Sequence, residues 1–86
     1  MKLFIVAYIE SLLKNAEYEY DNDTQSWCAS VKELPGTYAQ ANSVEEARRQ
    51  LTEVIEDYIL VSLQKGHSLP GFKNVLSAFE REKAHV

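Results

Sequence analysis

Residues 27–47, WCASVKELPGTYAQANSVEEA, leave the chain few ways to fold, because a strand, a tight turn, a second strand and a helix start follow one another without a spare residue. Trp27, Ala29 and Val31 alternate with Cys28, Ser30 and Lys32, the period of two expected of a half-buried strand. In Leu34-Pro35-Gly36 the proline presets φ for the second position of a turn, and the glycine accepts the positive φ that a type II turn needs at the third. Residues 37–41, rich in Thr, Tyr and small side chains, return as a strand. Ser43 to Glu46 then has the form of a capping box, in which each side chain answers the other's backbone N–H, so a helix starts at Ser43.

Length and charge bound what surrounds this centre. The chain has 86 residues, one domain of a size that is marginal alone, so a homodimer or higher homo-oligomer is expected. A formal charge of −4 argues against direct nucleic-acid binding, which rests on clustered Lys and Arg, and favours a basic protein partner. Cys28 is the one cysteine, read as a small core residue of a reducing compartment. Lys2 precedes an apolar run over residues 3–9, but Glu10 interrupts it and no small-residue cleavage site follows. The run is also far shorter than the roughly 20 apolar residues of a membrane span. A cytoplasmic protein without membrane contact is expected.

The remaining pattern predicts a single α+β domain, 1–86, with the order α-β-β-β-α-β. Ile5, Ile9, Leu12 and Leu13 recur at helical spacing, giving an N-terminal helix over 3–14 that Asn15 ends. Tyr18 and Tyr20 share one face of a first strand, and 16–41 forms a three-stranded antiparallel meander. The main helix spans 43–65 with Gly66 as its C-terminal cap. Val44, Ala47, Leu51, Val54, Ile55 and Tyr58 form its sheet-facing stripe. Its opposite face is charged, with pairs Glu45–Arg49 and Arg49–Glu53 worth only a few tenths of a kcal/mol each. Ile59, Leu60 and Leu63 lie off the stripe and are assigned to an oligomer interface, with cover by the N-terminal helix or the tail as the alternative. Residues 67–70 are read as a short closing strand, its edge position set by Pro70. The tail, 71–86, carries Phe72, Val75, Leu76 and Phe79 at helical spacing, as a short helix or a frayed end.

Over residues 16–70 the chain resembles the HicB-like antitoxin family. The likeness rests on a polar hairpin, a strand ending in Pro35-Gly36, an aromatic strand, a Ser43-led helix beginning Glu45-Glu46-Ala47, and the closing Gly66 to Leu69-Pro70. Tyr8-Ile9-Glu10 and Leu13-Lys14 match short members that begin with a helix. The resemblance implies a partial ribonuclease H-like α+β fold and a module that blocks a small, basic, HicA-like RNA-cleaving toxin. There are two departures. Ala41 stands where the family often has Gly before the helix cap, so the turn is expected to use Asn42 instead. The sixteen residues after Pro70 are also too few for the helix-turn-helix of full-length members, so operator binding is not expected of this chain alone.

No catalytic constellation stands out. Asp21, Asp23, Glu56 and Asp57 are the carboxylates a two-metal nuclease would need. However, Asp21-Asn22-Asp23 reads as a hairpin loop, and Glu56 and Asp57 point about 100° apart on a helix. A calcium loop starting at Asp21 fails at Gln25, Ser26 and Lys32. His67 sits beside a helix C-terminus, where its protonated form meets a favourable dipole, and His85 has no partner. The aromatic residues lack the basic groove of a single-strand platform. The sequence therefore predicts no enzyme, metal or cofactor, but a non-catalytic inhibitor of the antitoxin type, contacting its partner through Glu17, Glu19, Asp21 and Asp23. The alternatives are an oligomeric scaffold without a toxin and, remotely, a metal-dependent nuclease.

Overall fold

The structure, a computed structural model, describes residues 3–84. Its elements are α1 (Phe4–Lys14), β1 (Glu17–Asp21), β2 (Ser26–Ser30), β3 (Tyr38–Ala41), α2 (Val44–Lys65) and α3 (Phe72–Ala84). The domain is α+β, with an antiparallel meander in the order β1-β2-β3. The turn between β2 and β3 forms as its residues dictate: Gly36 has φ +88°, the Thr37 N–H reaches the Leu34 carbonyl at 3.1 Å, and the Thr37 hydroxyl donates to the same oxygen at 2.6 Å. Neither Ala41 nor Asn42 takes a positive φ, so the step into α2 needs no special residue; the one non-glycine with positive φ among the described residues is Gln25, in the β1–β2 hairpin.

The register fixes the two faces of the sheet. Tyr18 lies opposite Ala29, and Tyr20 opposite Trp27; Ala29 in turn lies opposite Ala39, and Trp27 opposite Ala41. This face receives α2. Ala47, Leu51, Ile55, Ile59 and Ser62 are buried along the helix, on Ala29, Val31, Leu34 and Ala39 of the meander. Burial of each large aliphatic side chain here contributes about 1.5–3 kcal/mol. Both ends of α2 are closed by local chemistry. The Ser43 hydroxyl accepts from the Glu46 N–H at 3.1 Å, while the Glu46 carboxylate turns away to Arg49 and Gln50, so the box is half made. Gly66 adopts φ +70°, and the N–H groups of Gly66 and His67 bond the Leu63 and Ser62 carbonyls, a Schellman motif. Arg49 pairs with Glu46 and Glu53; the expected Glu45 pairing is replaced by Glu46, one residue later.

Residues 67–70 do not form the expected closing strand. Leu69 is drawn into the core, and the Pro70 carbonyl accepts the Tyr8 hydroxyl at 2.5 Å. Gly71, at φ +70°, then redirects the chain into α3, whose first turn follows the bond from the Phe72 N–H to the Leu69 carbonyl. This backbone serves a helix–helix junction, which is why it adds nothing to the sheet. Over its described residues the tail is a helix, and it packs on α1 through edge-to-face contacts of Phe4 with Phe72 and Phe79, at 5.0 and 5.5 Å. His85 lies outside the described residues. No described helix is long and apolar enough to cross a membrane.

Two tyrosine hydroxyls make opposite predictions. Burial above all, and then Tyr58 and Glu33, push the Tyr8 hydroxyl above its ordinary pKa, keeping it a donor to Pro70. Tyr8→Phe should destabilise by about 1 kcal/mol in denaturant unfolding. Because the folded pKa is the raised one, the Tyr8 contribution is complete below about pH 10 and lost as pH rises through the folded value. The wild type should therefore lose stability more steeply than Tyr8→Phe in that alkaline range. The Tyr18 hydroxyl is buried without a hydrogen-bond partner among the described residues, so Tyr18→Phe should be neutral or slightly stabilising.

Candidate functional site

The face of the sheet turned away from α2 is polar and acidic. Alternation along β1 puts Glu17, Glu19 and Asp21 on this side, opposite Ser30, Cys28 and Ser26; Tyr38 and Gln40 of β3 complete it. Asp23 sits in the adjoining hairpin, where its N–H bonds the Asp21 side chain at 2.9 Å. All four carboxylates assigned to partner binding are thus gathered on one strand and its hairpin. They are four of the chain's 13 acidic residues, against 9 basic ones.

Sequence reasoning misses the rest of this surface. Gln40 spans from β3 to the hairpin, donating to Thr24 at 2.7 Å and to Ser26 at 2.5 Å, while Thr24 and Ser26 bond each other. This network fixes the hairpin on the sheet. Cys28 lies half-buried on the same face and is not the core residue that the sequence suggests. The signal is present in the alternation itself, since a strand that turns Trp27, Ala29 and Val31 to the helix must turn Cys28 away. A shallow cavity of about 460 Å³ lies elsewhere, beside Leu63 and Phe72; the acidic face has its own, about 450 Å³, lined by Glu19, Tyr20, Asp21, Asn22, Asp23 and Cys28.

The electrostatics leave most of this charge available. Glu17 pairs with Lys32 at 2.9 Å, both well exposed, and that contact raises the lysine pKa, first through the hydrogen bond and then through the charge. The other clustered acids of the sequence lie apart, Glu56 and Asp57 being exposed on α2. Among the described residues no group of three or more His, Cys, Asp or Glu side chains is arranged to hold a metal ion.

The residues assigned to an oligomer interface separate. Ile59 is 5 % exposed and belongs to the core, because it continues the ridge of Leu51 and Ile55 at a spacing of four; Leu60 and Leu63 are 56 % and 60 % exposed. Among the described residues neither α1 nor α3 covers the latter two. Val61, absent from the sequence-based assignment, is 46 % exposed beside them.

A small α+β domain with one helix-covered sheet face and one acidic face is what the geometry defines. Residues 7–70 match the UPF0150-like family, and the chain belongs to it. The chain is similar to the crystal structure of TTHA0281 from Thermus thermophilus, with a TM-score of 0.79 and 27 % sequence identity, covering 87 % of this chain and 93 % of that one. No curated protein matches the chain.

The split between Ile59 and its neighbours is measurable. Ile59→Ala should cost about 2–4 kcal/mol by opening a cavity under α2, whereas Leu60→Ala should change stability by less than about 0.5 kcal/mol in a monomer. Equal costs in denaturant unfolding would contradict the burial described.

Proposed function

We propose that this protein is a non-catalytic binding module of the antitoxin type, and that it blocks a small, basic RNA-cleaving protein by covering its RNA-binding face. One observation carries the reading: four carboxylates, Glu17, Glu19, Asp21 and Asp23, are gathered within seven residues on one edge strand and hairpin of the sheet, with Lys32 paired to the first of them. A surface so charged repels phosphate backbones and attracts the basic surface that would otherwise hold them. Membership of the UPF0150-like family, together with the resemblance of residues 16–70 to HicB-like antitoxins, supports the same class.

The division of labour follows from magnitudes. Exposed ion pairs contribute about 0–1 kcal/mol each, so the carboxylates mainly speed association and select the partner. Affinity requires groups that lose water at the interface. Tyr20 meets that need, half-exposed at the lip of the acidic cavity and held edge-to-face against Trp27 at 5.4 Å.

The test starts from the neighbouring reading frame, where a short basic product is expected. Association of the two proteins should slow as salt rises, and RNA cleavage by the basic protein should stop when this chain is added. The triple variant Glu17→Lys, Glu19→Lys, Asp21→Lys should weaken binding by about ten- to a hundredfold, mostly in the association rate. Metal-dependent RNA cleavage by this chain alone, or full inhibition by the triple variant, would overturn the proposal.

A further inference from the structure

The two edges of the sheet are built differently. β1 is edged by Glu17, Glu19 and Asp21, and carboxylates along an edge prevent it from pairing with a copy of itself. β3, the opposite edge, has no such guard. Residues 34–44 contain no charged side chain at all, and β3 reads Tyr-Ala-Gln-Ala.

An edge of four residues is only about 13 Å long, too little on its own for the roughly 1,000 Å² of a stable interface. The flank of α2 extends it. Thr37, at the foot of β3, shares a shallow cavity of about 390 Å³ with Val54, Tyr58 and Val61 of α2, so the unguarded edge and an apolar strip of helix form one continuous surface. Asp57 and Lys65 border the same cavity, so the strip carries both signs and has no excess of either.

We propose that this surface joins a second copy of the chain: β3 pairs antiparallel with β3 of the partner, making a continuous six-stranded sheet with the two α2 helices side by side on one face. Self-association is favoured because antiparallel pairing of identical strands closes about a two-fold axis, satisfying both edges at once. The acidic β1 edge then remains at both outer ends of the double sheet, free for the basic partner. This places the subunit contact at Val54 and Val61, and not at Leu60 and Leu63.

Sedimentation across about 1–100 µM, combined with hydrogen exchange, decides the matter. A dimer is expected, with the amides of residues 38–41 more protected at high concentration than at low. Val61→Glu should raise the dimer dissociation constant at least about tenfold, while Leu60→Lys should leave it unchanged. A monomer at about 100 µM would overturn the proposal, as would an oligomer broken by Leu60→Lys and not by Val61→Glu. An oligomer whose 38–41 amides exchange equally at both concentrations would also overturn it. If Val61→Glu does not fold, as circular dichroism would show, the exchange comparison on the wild type decides alone.

Discussion

The packing of α2 on the meander sets the terms for everything else in the molecule. Three alanines, Ala29, Ala39 and Ala47, are buried where helix and sheet meet, and their small size lets the helix axis come close to the strands. Leu51 and Ile55, fully buried, fill the space along the same ridge. In a domain with a thinnest extent of 18 Å, there is room for one sheet and one helix layer and no more. The opposite sheet face therefore has no helix of its own and must be polar, and the alternation of β1 makes it acidic. The surface proposed for function is a direct consequence of where the core lies.

Features that depend on a few neighbouring residues are legible in the sequence. Pro35 and Gly36 specify their turn, Ser43 and Gly66 specify the ends of α2, and the period of two specifies the strands, all within a handful of positions. Ile59 is misplaced by sequence reasoning because a stripe anchored on Val44, Val54 and Tyr58 follows residues that flank the buried ridge. The ridge itself advances by fours through Ala47, Leu51, Ile55 and Ile59, and so rotates slowly around the helix. The closing segment is illegible for a different reason. Its backbone is committed by Tyr8, 62 residues away in sequence, and no local pattern announces that contact.

The same contact explains why the two terminal helices behave as a unit. α1 contributes Tyr8, Leu12 and Leu13 to the core and shows Phe4 to α3. The α3 helix reaches the rest of the domain mainly through that aromatic cluster and the Leu69 anchor. Family membership covers residues 7–70, which includes Tyr8 and Pro70 but ends before α3. The junction thus lies inside the matched region, and α3 follows it on the α1 surface.

Charge placement is only half visible until the register is known. The sequence shows four carboxylates between Glu17 and Asp23, but alternating Glu and Tyr over a strand could turn either set toward the helix. Pairing Tyr18 with Ala29 decides it: Tyr18 goes inward because its ring covers apolar area, Tyr20 stays half-exposed at the margin of the sheet, and the carboxylates go outward because burying them unpaired would cost several kcal/mol each. Once that is settled, the edges acquire opposite characters. The edge lined with like charges resists its own kind and attracts a basic surface, whereas the uncharged edge has nothing to stop it from pairing. One constraint, the desolvation cost of a carboxylate, therefore assigns the proposed partner to one side of the sheet and the proposed second copy to the other.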